Sequence, residues 1–184
     1  MKKLFLSIAL ISSFTVAIQA QKYFTKEGKI NFHAGTSVED IDGTSNTATC
    51  VLDSKTGDIQ WSVLVKGFHF DRALMEEHFN ENYMESNTYD KATFKGKVDN
   101  ITSVNFTKDG TYNVKVTGDL TMHGVTKKMT VDGTIVVKGG VISCNSKFYV
   151  NPKDYNINIP SAVQDKITNN IEINVSASLA ELKK

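Results

Sequence analysis

The sequence predicts an all-β protein, an antiparallel arrangement of about eight strands, and three observations support this. From residue 28 almost to the C-terminus, apolar and polar residues alternate in one run after another. Most of these runs are separated by stretches too short to hold a crossover helix. Helical spacing of apolar residues is confined to one short segment, with a second helical turn near the end.

Residues 1–20 lie outside this pattern. Met1-Lys2-Lys3 precedes an uncharged run from Leu4 to Ile18 that ends in Gln19-Ala20, the charged, apolar and cleavage-site order of a secretory signal peptide. The run contains Ser7, Ser12, Ser13 and Thr15 and is shorter than the ~20 apolar residues a membrane-spanning helix needs. Cleavage is expected after Ala20, leaving residues 21–184 as one domain, enough chain to bury a real core. The formal charge of +1 becomes −1 without Lys2 and Lys3, so nothing calls for nucleic acid or another polyanion as partner. Cys50 and Cys144 fall on the apolar side of their strands and are read as two buried thiols.

The strands follow in order. Ile30, Phe32 and Ala34 share one face; Ala48, Cys50 and Leu52 share the next; Ile59, Trp61, Val63 and Val65 come after Lys55-Thr56-Gly57-Asp58, which reads as a hairpin turn. Ala92, Phe94, Gly96 and Val98 alternate with Thr93, Lys95, Lys97 and Asp99. Tyr112, Val114, Val116, Gly118, Leu120 and Met122 form a longer set, as do Met129, Val131, Gly133, Ile135 and Val137. Gly139-Gly140 turns the chain into Ile142, Cys144, Ser146 and Phe148, and Ile171, Ile173, Val175, Ala177 and Leu179 close the series. Each strand thus has one apolar and one polar face. Such a pattern suits a closed barrel or a two-sheet sandwich equally.

Two segments depart from it. Asp71 is placed to cap a helix over residues 71–81, with Leu74, Met75, His78 and Phe79 on one side. Ser161 precedes a short helical turn over residues 162–168, after Pro152 and Pro160.

No catalytic motif stands out: there is no Gly-x-Ser-x-Gly elbow, no phosphate-cradling glycine loop, and no His-Glu-x-x-His or Cys-x-x-Cys spacing. His33, His69, His78 and His123 each stand alone in their segments, so no metal site is assigned and no catalytic residue is named. The run Trp61, Phe68, Phe70, Leu74, Met75, Phe79, Tyr83, Met84, Phe94 concentrates large apolar groups around one helix and two strands. It reads either as a helix plugging a filled barrel or as the lining of an apolar pocket, since a barrel of about eight strands can fill with side chains or hold a ligand.

The segment Gly67-Phe68-His69-Phe70, Met75-x-x-His78-Phe79-x-x-x-Tyr83-Met84 and Tyr89-Asp90-Lys91-Ala92-Thr93-Phe94-x-Gly96 resembles the helix-and-strand signature of the YceI family. Gly110-x-Tyr112-x-Val114, followed by Gly118-Asp119-Leu120-Thr121-Met122-His123-Gly124-Val125-Thr126-Lys127, is similar to that family's strand pair, and the likeness spans residues 28 to 180. It departs at Asp90, where the family often has proline, and at Ile30-x-Phe32, where a His-Ser opening is usual. The resemblance implies a lipocalin-like antiparallel barrel exported to the bacterial periplasm, with a long apolar cavity that holds a polyisoprenoid, a quinone-type lipid or a similar amphiphile.

On that reading Trp61, Phe68, Phe70, Met75, Phe79, Met84, Phe94, Leu120 and Met122 line the cavity, and His78, Tyr83 or His123 meets a polar head at a mouth. The expected partners are a long-chain lipid, held non-covalently and with no other cofactor, and transiently a membrane surface; pairing of two protomers is left open. Two rival readings are a ligand-free β-sandwich serving as an interaction or envelope stress protein, and a periplasmic metalloenzyme built on His33, His78, His123 and carboxylates.

Overall fold

A computed structural model describes residues 21–182; the expected signal segment, residues 1–20, lies outside the described residues. Eight strands close into one antiparallel barrel in sequence order: β1 (Lys22–His33), β2 (Asp42–Asp53), β3 (Asp58–Leu64), β4 (Lys91–Val98), β5 (Gly110–Met122), β6 (Val125–Lys138), β7 (Val141–Val150) and β8 (Ile171–Glu181). Pairing of β1 with β8, from Tyr23↔Glu181 to His33↔Glu172, removes the open edges that a sandwich would leave.

The short connections obey local turn chemistry. At the β2–β3 turn the Asp53 carboxylate accepts hydrogen bonds from the Lys55 and Thr56 amides at 2.9 and 3.0 Å. The two-residue β6–β7 turn places Gly139 and Gly140 at φ +57° and +80°, the double left-handed geometry that matches strand twist and that glycine adopts without strain. The β5–β6 turn is equally tight, Met122 pairing with Val125 around His123 and Gly124 at φ +49° and +72°.

β1 begins earlier than the alternation suggests. Its register slips between Thr25 and Gly28 and again between Gly28 and Ile30, and such bulges break the period of two on which sequence reading depends. Gly28 is needed at this point: a Cβ there would lie 2.8 Å from the Ala48 carbonyl oxygen and 3.1 Å from the Trp61 ring.

The helical segment also differs from expectation. An α-helix, α1 (Ala73–His78), continues as a π-turn over Phe79–Tyr83. Asp71 does not cap it: the N-cap position is Arg72 with no side-chain cap, while the Glu76 carboxylate reaches back to accept from the Phe70 amide at 3.3 Å. Near the C-terminus the helical turn is a short 3-10 segment, Ser161–Val163.

The barrel has a packed end and a hollow end. At the packed end Cys50, Leu52, Ile59, Val98, Ile135, Val137, Ile142 and Leu179 form a dense core, and Tyr23 stacks on Phe106 with ring centroids 5.8 Å apart. The opposite end is crowned by three long connections: residues 34–41 between β1 and β2, residues 65–90 carrying α1 between β3 and β4, and residues 151–170 between β7 and β8.

Candidate functional site

The inner faces of β3 to β8 alternate as the strand period requires, yet many inward side chains are not fully buried. Trp61, Phe94, Met122, Met129, Val131, Phe148, Ile171, Ile173 and Val175 all remain half-buried although all line the interior. The space they face is a cavity of about 490 Å³, within the ~300–1,000 Å³ range of small-molecule sites. Ile59, Val98, Val114, Val116, Ile135 and Cys144, side chains of the packed core, form its floor.

Sequence placement creates this room. Gly96 of β4 sits directly opposite Gly118 of β5, and Phe94 fills the shallow dip above them: a Cβ at either glycine would lie 2.6 Å from the Phe94 ring. The ring therefore lies along the wall and not across the lumen. Toward the mouth Phe32, Phe68, Phe70 and Phe79 form one aromatic cluster, with centroid separations of 5.1 to 5.8 Å, a spacing at which tilted aromatic pairs attract. Phe79 belongs to the helical segment and the other three to β1 and the β3–α1 connection, so this cluster seats the helix on the barrel rim.

All nine residues read from the sequence as lining face this cavity: Trp61, Phe68, Phe70, Met75, Phe79, Met84, Phe94, Leu120 and Met122. His78 and Tyr83 also line it, from the helical segment; burial pushes the Tyr83 phenol above its ordinary pKa. His123 is placed elsewhere. It is buried in the β5–β6 turn, where its Nδ1 donates to the Tyr155 carbonyl at 2.9 Å and its ring packs on Tyr89 at 4.4 Å. Its Nε2, without a hydrogen-bond partner, stands 3.5 Å from a Glu85 carboxylate oxygen. His123 thus pins two connections together and does not reach the lumen.

Nor do the histidines converge on a metal site. Among the described residues, the one cluster with metal-ligand spacing is His33, Asp40 and Asp42, all exposed, with His33 Nδ1 2.9 Å from Asp42 and 3.4 Å from Asp40; neither His78 nor His123 belongs to it.

Sequence reading missed the charged part of the lining. Glu39, Arg72 and Lys166 come from the three crowning connections and line the cavity where it reaches the surface. The Arg72 guanidinium donates to Glu39 Oε1, and Lys166 Nζ lies 3.3 Å from Glu39 Oε2. Hydrogen bonds from Arg72 and Lys166 hold the Glu39 carboxyl below its ordinary pKa. No motif links positions 39, 72 and 166, so only the fold could reveal the group.

An eight-stranded closed barrel with a hollow, largely apolar interior open at one end belongs to the class of barrels with room to hold one ligand inside. The chain belongs to the family of YceI-like domains, whose model matches residues 14–179. No curated protein matches it. Among solved structures it is similar to a polyisoprenoid-binding domain from Saccharophagus degradans implicated in plant cell wall breakdown, at 12% identity, covering 89% of this chain and 100% of that one with a TM-score of 0.76. It is also similar to BcnA of Burkholderia cenocepacia, at 16% identity, 83% and 96% coverage and a TM-score of 0.67. A Campylobacter jejuni YceI mutant carrying a monobromobimane guest matches at 16% identity over 100% of both chains with a TM-score of 0.57. At these identities the likeness is one of fold.

Proposed function

We propose that this protein is an exported, periplasmic lipid-binding protein that holds a polyisoprenoid or similar long-chain amphiphile in the barrel cavity, as a carrier or store. One observation carries the reading: aromatic, methionine and β-branched side chains on the inner strand faces stay half-buried around an apolar cavity of about 490 Å³. A protein selected only for packing would close that space, because interiors pack to near-crystalline density and voids are destabilising.

Binding is burial of hydrocarbon, at ~0.8 kcal/mol for each CH₂ taken from water. Met75, Met84 and Met122 repack around a kinked tail, and Trp61, Phe68, Phe70, Phe79, Phe94 and Leu120 present broad apolar faces. His78 and Tyr83 are the lining groups of the helical segment able to hydrogen-bond a polar head. In a bilayer the tail is already out of water, so the preference for the barrel is modest and release is feasible; this favours carriage over irreversible sequestration. The family and the polyisoprenoid-binding domain of similar fold support the lipid, and the Lys2-Lys3 and Leu4–Ile18 pattern supports export.

The test is solvent extraction and mass spectrometry of gently purified mature protein. A stoichiometric long-chain lipid is expected; recovery of none, together with no uptake of long-chain isoprenoids, would overturn the proposal.

A further inference from the structure

The barrel wall is parted on one side. β6 pairs with β5 from Gly110↔Val137 to Met122↔Val125, and β7 pairs with β8 as far as Val150↔Ile171. β6 and β7 pair with each other only from Lys138↔Val141 to Gly133↔Ser146. Toward the hollow end they fork: among the described residues no backbone hydrogen bond crosses between residues 125–132 and 147–150. At the fork the Ser146 hydroxyl donates to the Asp132 carbonyl at 2.7 Å, so the first carbonyl beyond the last strand pair is satisfied by a side chain. The upper part of the fork is covered by the 3-10 turn Pro152–Tyr155, which packs on β6 and whose Tyr155 carbonyl accepts from His123 Nδ1 at 2.9 Å. Between that turn and the fork lies a slot edged by unpaired strand backbone, which proteins ordinarily pair, cover or keep short.

The slot leads inward. Val114, Gly133, Thr134, Asn145, Ser146 and Val175 border both the apolar cavity and a groove on the outer surface. The wall is thin there because the facing inward positions are Gly133, with no side chain, and Ser146, with a small one; a Cβ at Gly133 would lie 2.9 Å from the Asn145 carbonyl oxygen. Outside, the groove is polar and its two lysines are already paired, Lys115 with Asp132 at 2.9 Å and Lys147 with Glu172 at 2.8 Å. Asn113, Thr134, Asn145 and Ser176 form a neutral row across β5 to β8, each opposite the next. The crown, by contrast, is fastened: Glu39 joins Arg72 and Lys166, Thr36 Oγ1 donates to the Asp165 carbonyl at 2.7 Å, and the Thr168 amide donates to the Ala34 carbonyl at 2.9 Å. A ligand entering through the crown must part these contacts, whereas among the described residues no backbone hydrogen bond spans the slot.

We propose that this slot is a side portal of the cavity: a long-chain ligand enters and leaves between β6 and β7, and its uncharged, hydrogen-bonding head rests in the outer groove on Asn113, Thr134, Asn145 and Ser176 while its tail fills the lumen. This rests on the lipid-binding reading above and adds to it the route and the place of the head. Of the two places open to a head, the mouth beside His78 and Tyr83 and the groove, the groove is the one reached without parting the crown. A slot that runs along the strands admits a flexible tail sideways, so the head never crosses the apolar interior, where an unpaired polar group costs ~1–3 kcal/mol. The amide and hydroxyl groups of the row supply both donors and acceptors for it.

The experiment uses the mature protein with bimane on a single new cysteine, either Asn145→Cys at the slot or Val38→Cys on the crown. Both positions are exposed, and the native Cys50 and Cys144 are buried, so the label goes to the new thiol. Asn145 lies well short of the Val150 end of β7, roughly 16 Å along the strand at ~3.3 Å per residue. The probe is N-palmitoyl amino-TEMPO, a long chain whose uncharged amide head carries a nitroxide quencher; immobilisation of its electron spin resonance spectrum reports binding to the unlabelled protein. Bound probe is expected to quench the Asn145→Cys label several-fold more than the Val38→Cys label, and excess farnesol to reverse this. In a second measurement Asp132→Cys/Lys147→Cys, at the next positions beyond the fork, staples the slot when oxidised. Oxidation should slow uptake of the probe several-fold and reduction restore it, a reversal that a folding defect would not show. Immobilised probe that quenches Val38→Cys as strongly as Asn145→Cys or more so, or uptake indifferent to the staple, would overturn the portal and leave the lipid reading standing. A probe that is never immobilised would overturn both.

Discussion

Replacing Gly118 by alanine tests how the barrel wall makes room for its cavity. The added Cβ would lie 2.5 Å from Gly96 Cα, 2.5 Å from the Lys95 carbonyl oxygen and 2.6 Å from Phe94 Cζ. Two of these three neighbours are backbone of the adjacent strand, so relief requires β4 and β5 to separate or Phe94 to tip into the lumen. Overpacking of this kind costs ~1–3 kcal/mol, and in a domain of this size each kcal/mol lowers Tm by ~2–4 °C. The expected fall is therefore roughly 2–12 °C by differential scanning calorimetry, accompanied by weaker uptake of a long-chain probe. Gly43→Ala supplies the contrast, because its added Cβ would meet only side chains, Phe32 at 2.5 Å and Phe70 at 3.0 Å. Those rings face the cavity and have somewhere to go, so its loss should stay under ~1 kcal/mol. Combining Phe94→Ala with Gly118→Ala should not rescue stability, since the backbone contacts remain. A Tm for Gly118→Ala within experimental error of wild type, or equal losses at positions 43 and 118, would refute this account of the wall.

Two further outcomes follow from titratable groups. Burial pushes the Cys144 thiol up to about 12, and burial followed by the nearness of Cys144 pushes Cys50 up as well; both are free thiols. Ellman's reagent at mildly alkaline pH should then find almost no reactive thiol in the native protein and both after denaturation, and rapid native labelling would contradict the buried placement. On the outer face, Lys147, Asn174 and Tyr149 donate to Glu172 at 2.8 to 3.0 Å and pull its carboxyl from 4.5 to about 2. A carboxyl lowered by folding adds stability above its unfolded pKa and loses it as pH falls toward the folded value. The Tm difference between wild type and Glu172→Gln should accordingly be widest above pH ~4.5 and close toward pH ~2; a gap indifferent to pH would exclude the linkage.

What was legible in the sequence divides along physical lines. Alternation identified the inner faces of β3 to β8 because those strands keep an unbroken period of two, as it did the second half of β2 from Ala48 on, and it placed Trp61, Phe94, Leu120 and Met122 on the inner side. It failed over residues 22–28, where the slips around Gly28 shift the phase. Closure of β1 on β8 was equally invisible, since a barrel and a sandwich share one alternation and differ only in which backbone edges meet. Asp71 was misread as a cap because a sequence shows a capping residue type without showing where the helix starts; the chain turns helical at Ala73, two residues on. His123 looked available because a histidine beside apolar residues signals nothing about its ring, which the tight turn at Gly124 directs onto Tyr89 and Tyr155.

The charged cluster of Glu39, Arg72 and Lys166 shows why the rim of the hollow end escapes pattern reading while the packed end does not. Packing at the floor is enforced by every strand at once, so each contributing residue, from Leu52 to Leu179, carries the signal in its own local pattern. The rim is assembled from three connections far apart in sequence, each with an ordinary exposed charge whose meaning appears only when the barrel brings their ends together. The dense core and the mouth of the cavity thus occupy opposite ends of one barrel. Gly118 and Phe94, halfway along the wall, border both and should affect both when altered.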